Sequence, residues 1–155
     1  MKKIFLFLLV FISANVLFAQ DEKIVIDPNA SSRTVSGEFK AIKISGGIDL
    51  YLSQSNDVAI AVSAAEEKYR DGIKTTIENG ILKIKYEGDK SWTAKNRKLK
   101  VYVSFKTLEK IDASGACDVR VTGSIAVASL DLLLSGACDF KGMVKVNTLK
   151  LNLSG

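Results

Sequence analysis

The sequence predicts an all-β protein built as a β-solenoid, in which successive turns of the chain stack on one another. Three observations predict it. The hexapeptide Ser-Gly-[Ala/Gly]-x-Asp-apolar occurs as Ser45-Gly46-Gly47-Ile48-Asp49-Leu50, Ser114-Gly115-Ala116-Cys117-Asp118-Val119 and Ser135-Gly136-Ala137-Cys138-Asp139-Phe140, and Ser154-Gly155 matches its start. The copies at Ser114, Ser135 and Ser154 begin 21 and then 19 residues apart. A period of about 20 marks repeats that bury their apolar faces only by stacking. Between the motifs, apolar and polar residues alternate with the period of two that half-buried strands require.

The first 19 residues stand outside this domain. Lys2 and Lys3 form a positive region, residues 4–12 an apolar one, and Leu17-Phe18-Ala19 a cleavage site, which together read as a secretory signal peptide. The apolar run is shorter than the roughly 20 residues of a spanning helix. A lipoprotein would carry a cysteine after the cleavage site, where Gln20 and Asp21 stand. The expectation is a free, exported protein without a transmembrane anchor, placed in the periplasm, at the outer membrane or on the cell surface.

Residues 20–38 read as a polar lead-in with one short strand at residues 23–26, ended by Asp27-Pro28-Asn29. Residues 41–44 form a strand leading into the first Ser-Gly turn, and residues 49–52 and 58–62 are the next two strands. Residues 64–71 have room for one helical turn, with too little apolar content for a packed helix. Residues 73–77 and 81–86 alternate on either side of Asn79-Gly80. That dipeptide accepts the positive φ of a type I′ turn, so the segment reads as a hairpin. Residues 87–98 form a polar loop carrying the only tryptophan, Trp92, and residues 99–103 resume the strand pattern.

Aligning the later motifs on their serines places Ile111, Leu132 and Leu151 in one column and Ala113, Leu134 and Leu153 in a second. Both columns point inward, while Asp112, Leu133 and Asn152 point outward. On the far side of each turn, Ile125 and Val127 align with Val144 and Val146. The turn that starts at Ser114 is two residues longer, and the extra length is expected near Val121-Thr122-Gly123. Glycine supplies the bent backbone of each corner. The aspartates Asp49, Asp118 and Asp139 form a ladder that must face solvent or bond backbone amides, because burial unpaired would be costly.

Cys117 and Cys138 share one motif position, so they lie on adjacent turns. Stacked strands about 4.8 Å apart fall within the Cα range of a disulfide. Side chains that run parallel would strain such a bond, which favours two stacked thiols, and both readings stay open.

Composition excludes several functions. The chain contains no histidine, so no Ser-His-Asp triad, Cys-His dyad or histidine-ligated metal can be assembled from it. The net charge of +5 falls to +3 without Lys2 and Lys3. That mild excess is spread along the chain rather than gathered in the patch of a nucleic-acid binder. Two cysteines alone do not complete a zinc site. The Ser-Gly-x-x-Asp ladder has fewer glycines and aspartates per turn than calcium-binding β-rolls. Ser114 and Ser135 lack a histidine base and the Gly-x-Ser-x-Gly elbow. Asp118 and Asp139 are the one acidic pair placed to serve polysaccharide cleavage, but no other residue marks a cleft around them. Lys90, Lys95, Arg97, Lys98 and Lys100 gather around Trp92, where charge and stacking suit an acidic glycan, although a solvated loop has the same composition.

The export signal, the opening Phe39-x-Ala41-Ile42-x-Ile44-Ser45-Gly46-Gly47-Ile48-Asp49, the Asn79-Gly80-x-Leu82-x-Ile84 hairpin and the recurring Ser-Gly-Ala-x-Asp together resemble the head-GIN-domain family. Its members are autotransporter-adhesin-like proteins of the Bacteroidetes cell envelope. Gly47-Ile48-Asp49 stands where the family name has Gly-Ile-Asn. The resemblance implies a right-handed single-stranded parallel β-helix over residues 39–155, with an N-terminal hairpin region. It implies no enzyme activity and no catalytic, cofactor-binding or metal residue. Family members continue through further Ser-Gly turns, so the domain is expected to be incomplete at its C-terminal end. The functional expectation is a non-enzymatic envelope module, structural or adhesive, that presents a repetitive surface to an envelope glycan or surface protein. The alternative is a carbohydrate-binding or polysaccharide-cleaving β-helix.

Overall fold

The structure is a computed structural model that describes residues 27–88 and 96–155. The expected signal peptide (1–19), the strand expected at 23–26, and Lys90, Trp92 and Lys95 lie outside these described residues. The elements in chain order are β1 (Ser31–Arg33), β2 (Ala41–Gly46), β3 (Asp49–Gln54), β4 (Ala59–Ser63), α1 (Glu67–Asp71), β5 (Ile73–Glu78), β6 (Ile81–Tyr86), β7 (Lys100–Phe105), β8 (Lys110–Gly115), β9 (Asp118–Gly136) and β10 (Asp139–Ser154). All ten strands join one sheet in the order β1-β4-β7-β3-β9-β8-β2-β6-β5, with β10 laid along β9.

The expected right-handed parallel β-helix is not the architecture. β1 pairs with β4, β4 with β7, and β5 with β6 in antiparallel fashion. The remaining pairs are parallel. A single mixed sheet therefore curls round one core as a nearly closed barrel. The physical reason lies in the connections. A parallel neighbour needs a crossover of about a dozen residues. The link from Gln54 to Ala59 is far shorter, so β4 returns antiparallel and leaves a gap that β7 fills between it and β3. Asn79 (φ 52°) and Gly80 (φ 74°) form the expected tight reversal, which makes β5 and β6 antiparallel. The solenoid reading carried the period of the later motifs across a central region that does not contain them.

Where the motif recurs, the register follows the expected columns. Ser45 pairs with Ser114, Ser114 with Ser135, and Ser135 with Ser154. Ile111 pairs with Leu132 and Leu132 with Leu151, while Ala113, Leu134 and Leu153 form the next column. Ile125 faces Val144, and Val127 faces Val146. The register slips between Lys141 and Met143, where Val121, Thr122 and Gly123 of β9 stand opposite the single Gly142, so the two extra residues lie at the expected place. Leu133 is half-exposed between Asp112 and Asn152.

β9 reaches both sides of the barrel. Its first part, at Val119–Thr122, pairs with β3, and its last, at Asp131–Gly136, pairs with β8. Gly123, at φ 76°, lies between the two parts. The inward positions form one apolar core that includes Ile42, Ile44, Ile48, Leu50, Leu52, Val101 and Ile111. The helical turn expected at residues 64–71 is α1, which buries only Tyr69.

Candidate functional site

The outward faces of β7, β3 and β9 carry a connected set of interacting polar side chains. The alternation that sends Leu50, Leu52, Val101, Val103 and Val119 into the core turns Asp49, Tyr51, Ser53, Lys100, Tyr102, Ser104, Asp118, Arg120 and Thr122 outward. Parallel register then sorts them into rows. Tyr102 pairs with Tyr51, Tyr51 with Arg120, and Arg120 with Lys141 of β10. One row along, Ser104 pairs with Ser53 and Ser53 with Thr122. On the other side lie Lys100, Asp49, Asp118 and Asp139.

The central row is held together by stacking and hydrogen bonds. The rings of Tyr51 and Tyr102 stack with centroids 5.0 Å apart. The Arg120 guanidinium lies 5.6 Å from the Tyr51 centroid, and its Nη1 donates to the Tyr51 Oη at 2.8 Å. Its Nη2 donates to the Asp118 carboxylate. The bond to Tyr51 and the nearby Asp118 and Asp49 charges hold Arg120 in its charged form, against the cost of desolvation. At the far end, the Tyr102 hydroxyl donates to Asp27 Oδ2 at 2.7 Å, with Lys100 Nζ 3.7 Å from the same oxygen. Burial and the Asp27 carboxylate push the Tyr102 phenol well above its ordinary value. Burial alone would raise Asp27. Hydrogen bonds from Tyr102, Ser63 and the Asn29 amide, together with Lys100, outweigh it and hold the carboxyl below its usual range.

The residues singled out in the sequence take other roles. Asp118 is tied to Arg120, and Asp139, its partner on β10, is exposed. The aspartate ladder thus faces solvent or a cation, as the cost of burying unpaired charge requires. Ser114 Oγ donates to the Ile44 carbonyl of the neighbouring strand β2. Among the described residues no three His, Cys, Asp or Glu side chains converge as a metal site. Of the basic cluster, Arg97, Lys98 and Lys100 lie within the described residues, and Arg97 and Lys98 line one cavity at the first corner. Arg97 lies over the Tyr86 ring at 5.3 Å, whereas Lys100 faces Asp27. Cys117 is buried, Cys138 is half-buried, and both are free thiols. The Tyr51–Tyr102–Arg120 row was missed in the sequence. Alternation alone turns each of the three outward, but the register joining β3 to β7 crosses a segment with no motif to align.

A cavity of about 630 Å³ opens beside β10, lined by Leu132, Leu134, Phe140, Val144, Leu149 and Leu151 among others. A second, of about 550 Å³, lies at the first corner beside Asp49, Tyr86 and Arg97. No helix among the described residues is long and apolar enough to cross a membrane.

Comparison with known proteins places this geometry among relatives. No curated protein matches the chain. Among solved structures, a protein described as a "putative adhesin" from Parabacteroides merdae is similar, with a TM-score of 0.68 and 23% identity over 82% of this chain and 53% of that one. A "putative lipid binding protein" from Parabacteroides distasonis gives 0.59 and 18% over 82% and 63%. A "putative adhesin" from Bacteroides fragilis gives 0.58 and 19% over 76% and 60%. At these identities the likeness shows the fold alone, and this chain spans less than two thirds of each structure's length. The family model described as "Putative auto-transporter adhesin, head GIN domain" matches residues 38–155, which include every strand except β1 and both faces of the barrel. The chain belongs to the head GIN domain family.

Proposed function

We propose that this protein is an exported, non-enzymatic attachment module of the cell envelope, and that the outward face of β7, β3 and β9 binds a hydroxyl-rich envelope or surface glycan. Membership of an adhesin-like family supports attachment at an exported or surface location. The observation that carries the reading is the row Tyr102–Tyr51–Arg120, flanked on one side by carboxylates and on the other by Ser53, Ser104 and Thr122. Side chains locked by stacking and ion pairing lose little freedom when a ligand arrives. Arg120 and Lys141 supply donors, Asp118 and Asp139 supply acceptors, and the hydroxyl row supplies both, which suits a repeating sugar. Repetition of such contacts along a polymer gives avidity without a deep pocket. A chain without histidine cannot assemble a Ser-His-Asp triad, so the polysaccharide-cleaving alternative would rest on carboxylates.

The test is a glycan array and titration with envelope polysaccharide. Arg120→Ala and Tyr51→Ala are expected to weaken binding by roughly 3- to 10-fold each, as for single contacts among many. Circular dichroism should show both variants folded. Binding that survives both changes removes the face from consideration. Release of new reducing ends, abolished by Asp118→Ala, would instead establish the polysaccharide-cleaving alternative.

A further inference from the structure

Cys117 and Cys138 occupy the same position of successive motifs, immediately before the paired Asp118 and Asp139. Backbone bonds on both sides fix their spacing. The Ala137 amide donates to the Gly115 carbonyl at 2.8 Å, and the Asp139 amide to the Cys117 carbonyl at 3.0 Å. Their Sγ atoms are 2.8 Å apart. A sulfur–sulfur bond is about 2.05 Å long, so bonding needs roughly 0.8 Å of further approach. Neighbouring strands also hold their Cα atoms within the span that a disulfide bridges. The two side chains converge, and this removes the objection that stacked cysteines point in parallel.

We propose that Cys117 and Cys138 form an intramolecular disulfide that fastens β10 to β9, made by exchange with a disulfide-bearing oxidant such as a protein dithiol oxidase or a small-molecule disulfide. The half-buried Cys138 starts the exchange. Its thiolate attacks one sulfur of the oxidant, forms a mixed disulfide and releases the other oxidant sulfur as a thiolate that takes a proton. Cys117 then loses its proton and attacks Cys138 Sγ, which forms the internal bond and expels the second oxidant thiol. Two thiols are oxidised, one oxidant disulfide is reduced to two thiols, and both protons are accounted for. The order follows from access: Cys117 is buried, whereas the half-buried Cys138 is open to an approaching oxidant.

The position gives the bond a purpose. Among the described residues β10 hydrogen-bonds to β9 alone, and most of its residues are exposed. The cysteines stand 21 residues apart in the chain, at the point where β10 begins. A crosslink there removes chain entropy from the unfolded state.

The test uses the full chain, reduced and then incubated with oxidised glutathione. Thiols are trapped with a maleimide under denaturing conditions and the protein is weighed by mass spectrometry. The expected product is lighter by two hydrogens and takes no maleimide, while reduction restores two labelled thiols. Reduction should also lower Tm by on the order of 10 °C. Cys117→Ala and Cys138→Ala should each abolish the redox dependence of Tm. A persistent glutathione adduct on Cys138, a disulfide-linked dimer, or two labelled thiols after oxidation would overturn the proposal. A disulfide that forms without raising Tm would overturn its fastening role.

Discussion

The corner glycines differ in what a side chain would meet. Gly46, Gly115 and Gly136 all have positive φ, at 101°, 100° and 80°. A Cβ on Gly46 meets nothing within 4 Å, one on Gly115 comes 3.0 Å from the Gly46 carbonyl oxygen, and one on Gly136 comes 2.6 Å from the Gly115 oxygen. The corners are stacked so closely that each glycine lies against the backbone of the previous one. Gly46→Ala therefore bears only the conformational cost, about 1–2 kcal/mol. Gly136→Ala bears that cost and a clash with a carbonyl that cannot rotate away, for a total of about 3 kcal/mol or more. Urea denaturation of the two variants measures the difference, and equal losses would mean that the corners do not stack as described. These glycines were legible in the sequence because the motif repeats them. The Tyr102–Asp27 bond was not, because Asp27 read only as the end of a lead-in strand and its partner lies 75 residues away.

One column of residues shows how a strand's place in the sheet sets the worth of its side chains. Ile42 and Ile111 are fully buried, Leu132 is 4% exposed, and Leu151 is 54% exposed. The four occupy equivalent positions on β2, β8, β9 and β10. Ile111 has a neighbouring strand on each side and core beneath it. Ile111→Ala should cost about 2–5 kcal/mol through lost burial and an unfilled cavity. Leu151→Ala should cost less than about 1 kcal/mol, because most of its surface already meets water. Thermal unfolding of both variants tests the contrast. Alternation with period two made these columns and their register readable. It does not report strand direction, which is why β4 could be located while its antiparallel return could not. Direction depended on the short link between β3 and β4 and on β7 entering the gap, a pairing made by residues that repeat nothing.

Over the whole molecule, stability is graded from the centre of the sheet to β10. β2 is bonded to β6 and β8, and β3 to β7 and β9, so each central strand must lose two partners before its amides meet water. Among the described residues β10 has one partner strand and buries little apolar surface. Local opening costs scale with the contacts broken, so β10 belongs at the low-stability end. Hydrogen exchange should follow this order. Amides of β2, β3 and β8 should exchange only through global unfolding. Those of β10 should exchange at least about tenfold faster, which corresponds to an opening about 1.4 kcal/mol or more below the global cost. Oxidation of Cys117 and Cys138 should slow exchange most in the first residues of β10, beside the crosslink, and change β2 least. Uniform exchange across β2 and β10 in the reduced protein would instead mean that the sheet opens as one unit, with β10 as firmly held as the strands around the core.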